Sequence, residues 1–344
     1  MTTTLETEIR EQPTVIARLM ETQAETVRAF ADALHEFKPA FVTIAARGTS
    51  DNAARYAQYV WGTKCGLVVS LATPSIHTLY ESKPDYSRAL VVGISQSGAS
   101  LDVRMVLEDA RAQGALTLSI TNDPESPLAK AAQFHIDLSA GLERSVAATK
   151  TYTAELAAVA MIATALSGSA EDAAALEKVP SWAAQTVELS ENIDAAPFTY
   201  MPNFACVARG YNYATAFEIT LKVQELCYVA GVSYSEADFR HGPIAIIQPA
   251  FPVFTIAPSG ATLPGMLDLL DKLHERQARP LVISDSPEAL AKAAVAMPIP
   301  AGIPEWLTPI VAIIPGQIFG LRLSIAKGHN VDAPRGLTKV TVTR

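Results

Sequence analysis

An arginine–glycine turn occurs twice in this sequence, and the register between its two copies holds over most of a domain length. Ala46-Arg47-Gly48 recurs as Ala208-Arg209-Gly210, an offset of 162 positions. The same offset sets Gly93-Ile94 beside Thr255-Ile256 and carries Ser97-Gly98 onto Ser259-Gly260 and Asp123 onto Asp285. It also carries Leu128-Ala129-Lys130-Ala131-Ala132 onto Leu290-Ala291-Lys292-Ala293-Ala294. A spacing sustained this far identifies two copies of one structural unit. With 344 residues the chain has room for two domains of ordinary size. The copies differ after one strand, where the first has Ser95-Gln96-Ser97-Gly98 and the second Ala257-Pro258-Ser259-Gly260. One half keeps a polar turn suited to an anion, and the other has given that role up.

Hydrophobic periodicity fills in the unit. Up to about Lys38 the pattern is helical, with Val15, Leu19, Val27 and Leu34 on one face. The first copy then alternates apolar runs with amphipathic stretches. Strands are expected at Phe41 to Ala45, Leu67 to Val69, Leu90 to Ile94 and Ala115 to Ile120, with helices from Asp51 to Val60 and Ser100 to Ala112. A long Ala-rich helix from Thr149 to Leu166 and a helical connection from Ser167 to Ala196 follow. The second copy offers strands at Phe204 to Ala208, Phe251 to Ile256 and Pro280 to Ser284, and helices at Tyr213 to Val229 and Leu307 to Ala326. Continuous apolar strands alternating with helices indicate α/β units with parallel sheets covered on both faces. The expectation is two tandem flavodoxin-like domains, 39–180 and 201–330. They are preceded by a helical segment 1–38, joined by a linker 181–200 and followed by an irregular tail 331–344.

Composition limits the partners. Hydrophobic residues make up 49% of the chain and charged ones 18%, as in a globular protein with a large core. A net charge of −8 argues against nucleic acid or an anionic membrane as the main partner, but a few local donors can still bind an anionic metabolite. Cys65, Cys206 and Cys227 show no CxxC spacing, which fits a reducing cytoplasm. The start, Met1 to Arg10, is polar and acidic and lacks a signal pattern. The longest apolar segments, Ala154 to Leu166 and Leu307 to Leu323, are short or broken by Pro309, Pro315 and Gly316. They read as buried helices, since a span needs about 20 residues.

In open parallel sheets, ligands bind beyond the carboxyl ends of the strands, where the turn after Ile94 falls. Ser95, Gln96, Ser97, Gly98 and Ser100 bring hydroxyls, an amide and a flexible glycine to a helix start, and Thr49 and Ser50 add donors after the preceding strand. A helix N-terminus favours phosphate there. Ser100 taken alone is explained by N-capping. No Walker lysine follows, which excludes a nucleotide P-loop. In the second copy Glu218, Lys222 and Glu225 share one helix face; by default they form a surface ion pair with a spare carboxylate. His241 precedes Gly242-Pro243 in a loop between core elements and can aim an imidazole at a cleft, whereas His35, His77, His135 and His274 are discounted. Lys339 is by default a solvated terminal charge. No clustered metal ligands are evident, and neither a metal nor another cofactor is expected.

These residues resemble the isomerase half of glutamine–fructose-6-phosphate aminotransferases (glucosamine-6-phosphate synthases), built from two sugar isomerase (SIS) domains. The resemblance covers nearly the whole chain. It begins with Glu8-Ile9-Arg10-Glu11-Gln12-Pro13 and runs through Gly48-Thr49-Ser50, Ser95-Gln96-Ser97-Gly98 and Ser145-Val146-Ala147-Ala148-Thr149-Lys150. It continues with Glu218 to Glu225 and His241-Gly242-Pro243, and closes on Asp332-Ala333-Pro334-Arg335-Gly336-Leu337-Thr338-Lys339. What it implies is a phosphosugar site in which Ser95, Gln96, Ser97 and Ser100, with Thr49, Ser50 and Ala147, hold the sugar phosphate. Glu225 would move a proton between the first two sugar carbons, and Lys222 would support the developing charge. His241, from the neighbouring subunit of a homodimer, would assist ring opening, and Lys339 would reach the open-chain carbonyl.

Departures bear on the reaction. The synthases carry an N-terminal glutaminase domain with a terminal cysteine, whereas this chain begins Met1-Thr2-Thr3. Ala99 stands where the family commonly has an acid, and Ser100 where it has threonine. The sugar half run in reverse is a deaminase, so the expected activity is conversion of glucosamine 6-phosphate to fructose 6-phosphate and ammonia. Alternatives are a deglycase for 6-phosphorylated fructosamines, another phosphosugar isomerase, or a non-catalytic sugar-phosphate sensor.

Overall fold

The computed structural model describes residues 2–339. It divides into two compact units, one of residues 14–143 and 150–177 with 338–339, the other of residues 2–13, 144–149 and 178–337. The first contains strands β1 (Phe41–Ala45), β2 (Val69–Leu71), β3 (Ala89–Ser95), β4 (Leu116–Thr121) and β5 (Phe134–Asp137), all parallel in the order β2-β1-β3-β4-β5. The second contains β6 (Asn203–Ala208), β7 (Ala230–Ser235), β8 (Pro252–Ile256), β9 (Arg279–Ser284) and β10 (Val295–Pro298), in the order β10-β9-β8-β6-β7. Read from its β7 edge, the second sheet has the same connection order as the first, that of flavodoxin-like folds. The repeat seen in the sequence is therefore a repeat of topology.

In the first unit the central strand β3 is buried along its whole length, so it needs cover on both faces. On one face the helix Leu101–Ala112 sets Val103, Val106, Leu107 and Ala110 against Ala89 and Val91. On the other, the helices Thr49–Cys65 and Lys150–Ser167 pack side by side, and the indole N–H of buried Trp61 donates to the carbonyl of Val159 at 3.1 Å. The helix Lys150–Ser167 is buried from Lys150 to Ala163 by its own unit. That matches the reading of the apolar stretch from Ala154 as a buried helix.

The second unit repeats the plan. Met266, Leu269, Leu270 and Leu273 of the helix Leu263–Glu275 lie on one core with Val207, Val253 and Val282. Across the sheet, the helices Tyr213–Cys227 and Thr308–Ala326 approach closely because residue 316 is glycine; a Cβ there would stand 2.5 Å from Ile219 Cγ1. Phe319 meets Phe254 edge to face at 5.0 Å. By length and composition the segment Glu305–Ala326 could cross a membrane, but 83% of its most apolar window is buried within the fold, as in a core helix.

Local differences from the sequence reading fall at the sheet edges and at one core-covering helix of the second unit. The second strand lies at Val69–Leu71, not Leu67–Val69, and β5, β7, β10 and the helix Leu263–Glu275 were not among the expected elements. These edge strands are partly exposed, and β5 carries His135 and Asp137, so their apolar signal is weak. Beyond Ala326 no helix or strand forms up to Lys339, consistent with an irregular tail; residues 340–344 lie outside the described residues.

Candidate functional site

The polar turn begins where β3 ends and leads into the helix Leu101–Ala112. Gly98 takes φ +61°, and a Cβ there would stand 2.2 Å from Ser126 Oγ, so the turn closes only on glycine. Two of its hydroxyls are used locally: Ser95 Oγ accepts from the Gly98 N–H at 3.2 Å and Ser97 Oγ from the Ala99 N–H at 3.3 Å. Ser100 occupies the cap position yet makes no side-chain cap bond, so ordinary N-capping does not explain it. The backbone N–H of Ser97 meets no acceptor among the described residues. Gln96, Ser97 and Ser100 are all partly exposed, with donors available to an anion.

Thr49 and Ser50 start the helix Thr49–Cys65 in the same unit. Ser50 is buried and its hydroxyl donates to Glu155 Oε1 at 2.7 Å, so that proton is already committed. Lys339 also belongs to this unit. Its Nζ lies 2.7 Å from Oε2 of Glu143, a wholly buried carboxylate that accepts from the N–H and the hydroxyl of Thr151 as well. The default reading of Lys339 as a solvated terminal charge does not hold. Ala147 is buried too, but it lies in the segment 144–149, which groups with the other unit.

In the second unit the helix Tyr213–Cys227 carries a buried ion triad. Lys222 Nζ stands 3.3 Å from Glu218 Oε1 and 2.7 Å from Glu225 Oε2, with Lys222 and Glu218 at 1% and 0% side-chain exposure and Glu225 at 22%. This is no surface ion pair. Burial alone would pull the lysine pKa down, but the charges of Glu225 and then Glu218 outweigh it and hold the pKa above the ordinary lysine value. The result is a fixed cation holding one carboxylate, Glu225, at the partly open end of the triad.

His241 caps the short helix Glu236–Arg240, with its N–H on the carbonyl of Asp238 at 3.1 Å, and its imidazole is exposed. The preceding turn is anchored by a network that sequence reasoning missed. Glu236, buried, accepts from Arg209 Nη1 at 2.7 Å and also from Arg240, which is bound to Asp268 and to the carbonyl of Gly265. Of this set only Arg209 had a sequence signal, as the partner of Arg47 in the repeat.

The counterpart of the polar turn, Ser259 to Thr262, is filled from within its own unit. Glu305 accepts from the N–H groups of Ala261 at 2.7 Å and Thr262 at 3.3 Å and from the Thr262 hydroxyl at 2.6 Å. Asp285 accepts from the Ser259 N–H at 2.6 Å. Among the described residues no group of three or more His, Cys, Asp or Glu is placed to hold a metal ion.

Comparison with known proteins agrees with this double architecture. The SIS domain family matches residues 42–165 and again 203–325. A glutamine–fructose-6-phosphate aminotransferase (isomerizing) of Aquifex aeolicus is 33% identical over 341 residues, covering 98% of this chain and 57% of that protein. The chain thus spans about half the length of the curated relatives it matches. A crystal structure of a candidate phosphosugar isomerase from Silicibacter pomeroyi DSS-3 superposes with a TM-score of 0.85 at 29% identity, covering 96% of this chain and 99% of that one. The C-terminal domain of the Francisella tularensis glucosamine-fructose-6-phosphate aminotransferase shares the fold, with a TM-score of 0.86 at 24% identity over 97% of this chain and 99% of that one.

Proposed function

The chain belongs to the SIS domain family, and from that premise we propose that it is a phosphosugar aldose–ketose isomerase that releases ammonia, converting glucosamine 6-phosphate to fructose 6-phosphate. The observation that carries this reading is Glu225, a partly open carboxylate held by a buried lysine. Aldose–ketose chemistry needs one carboxylate to shuttle a proton between adjacent carbons, and a fixed cation nearby to stabilise the enediol-like charge.

In the proposed sequence the Ser95–Ser100 turn, with Thr49 and Ala147, holds the phosphate, Ser50 being engaged by Glu155, and the remote binding energy orients the sugar. His241, contributed across a homodimer, assists ring opening. Glu225 takes the carbon-2 proton of the open-chain aldehyde and returns it to carbon 1, leaving an imine at carbon 2. Water hydrolyses that imine to the ketone and ammonia. Lys339, whose Nζ lies beside the Glu143 carboxylate, addresses the carbonyl.

Burial pushes the Cys65 thiol up to about 11 and the Cys227 thiol up to about 12, and raises Cys206 as well. The test is ammonia release from glucosamine 6-phosphate by the purified protein. Ammonia from glucosamine 6-phosphate supports the proposal; release of amine only from 6-phosphorylated fructosamines replaces it with a deglycase. Tight sugar-phosphate binding with no turnover of any of these replaces it with a sensor.

A further inference from the structure

Arg47 follows β1 in the first unit, two residues beyond the strand, at the carboxyl edge of the sheet where β3 also delivers the polar turn. Its guanidinium is held from one side only: Nε donates to Asp102 Oδ2 at 2.8 Å. Asp102 is wholly buried in the first turn of the helix Leu101–Ala112, the helix that the polar turn leads into, and its other oxygen accepts from the Val103 N–H. The arginine is therefore tied to the base of the turn. Its side chain is 48% exposed, and Nη1 and Nη2 meet no acceptor among the described residues.

The repeat supplies an internal control. Arg209, the equivalent residue, is held end-on, with Nη1 on Glu236 at 2.7 Å, so one of its two terminal nitrogens is engaged within its own unit. In that copy the turn is filled by Glu305 and Asp285. The copy whose turn is open thus keeps both terminal nitrogens of its arginine available, whereas the copy whose turn is filled has one of them bound to Glu236. Two parallel N–H groups of a guanidinium match two oxygens of a phosphate.

We propose that Arg47 is a phosphate-contacting residue of the polar-turn site. Its Nη fork, aimed by Asp102, grips the phosphate of the sugar that Gln96, Ser97 and Ser100 hold by neutral donors. The cation also offsets the Asp102 carboxylate, which would otherwise repel a dianion at the same helix end. This assignment rests on the polar turn being the phosphate site.

The test measures dissociation constants by calorimetry on the full chain, with fructose 6-phosphate and inorganic phosphate as probes and fructose as the phosphate-free control. The variants are R47Q, R47K, the neutral pair R47Q/D102N, and S97A/S100A as a probe of the turn itself. Because R47Q leaves a buried carboxylate without its cation, R47Q/D102N keeps the question answerable if the single variant does not fold. The expected result is a 10- to 50-fold weaker constant for both phosphate probes in R47Q/D102N, at a parent-like melting temperature, with R47K recovering only part. In turnover, KM rises by a similar factor while kcat stays within about threefold. Fructose 6-phosphate binding within twofold of the parent in R47Q/D102N, alongside a tenfold or greater loss in S97A/S100A, would overturn the role of Arg47 and leave the turn as the site. Parent-like binding in both variants would overturn the turn as the phosphate site, and this proposal with it.

Discussion

The two copies of this fold spend their polar residues in opposite places. In the second copy the helix Tyr213–Cys227 buries Glu218 and Lys222 and holds Glu225, whereas the positions 162 earlier in the first copy are Tyr56, Val60 and Thr63. Tyr56 and Val60 are wholly buried, so the same helix face there is ordinary core. At the turn after the third strand the situation reverses: the first copy leaves donors open at Gln96, Ser97 and Ser100, and the second satisfies its donors with Glu305 and Asp285. A duplicated unit must keep its packing in both copies, but a ligand needs only one anion cradle and one proton shuttle. The unused cradle is not left empty, because unpaired N–H groups at a helix start are costly. It is satisfied by a resident carboxylate.

The largest effect expected along this contrast is at the second copy's helix. Replacing Glu225 by Gln should lower kcat by about 10²–10⁴, the usual range for a general base, while fructose 6-phosphate binding stays within a few-fold of the parent. Turnover assays and calorimetry on one preparation check both halves; a variant retaining a tenth of the parent kcat would remove Glu225 from the chemistry. Next in size is Lys222→Met, which strands two carboxylates around an apolar chain and should destabilise the protein by about 3–5 kcal/mol in denaturant unfolding. The matching change in the first copy, Val60→Met, alters only packing and should cost less than about 3 kcal/mol.

Glu305→Gln probes the filled cradle. It keeps the shape but weakens charge-assisted bonds to Ala261 and Thr262, for an expected loss of about 1–2 kcal/mol with sugar-phosphate affinity unchanged. A large drop in affinity would mean that the second turn, not the first, meets the substrate. The smallest effect concerns pH. The Lys222 pKa is raised in the folded state, so its stabilisation is fully present below the ordinary lysine value of about 10.4 and is lost only as pH climbs through the higher folded value. The stability gap between the parent and Lys222→Met should therefore be equal at pH 7 and pH 9; a gap that narrows over that range would contradict a lysine held cationic by Glu225 and Glu218.

Much of this was legible in the sequence because the central strands and long helices are continuous apolar signals, and because the 162-residue register links the copies. The edge strands were less visible, since β5 is short and half-polar and β7, Ala230–Ser235, carries glycine and serines in place of a continuous apolar run. The Glu218–Lys222–Glu225 face was readable from helical spacing, but its burial was not, because spacing places residues on a face without saying what covers it. The carboxylates that hold the candidate residues were missed for a related reason. Glu143 beside Lys339, Glu155 beside Ser50 and Asp102 beside Arg47 are 196, 105 and 55 positions away from their partners, and no local pattern joins them. Ser100 shows the converse: local rules assign it to capping, and only the structure shows that its hydroxyl makes no such bond.

A crystal structure with fructose 6-phosphate bound tests the division of labour between the copies most directly. The expected density places the phosphate within hydrogen-bonding distance of Ser97 and Ser100 in the first copy, with Glu305 still seated on Ala261 and Thr262 in the second. A phosphate found at Ser259 to Thr262 with Glu305 displaced, or bound away from both turns, would contradict it.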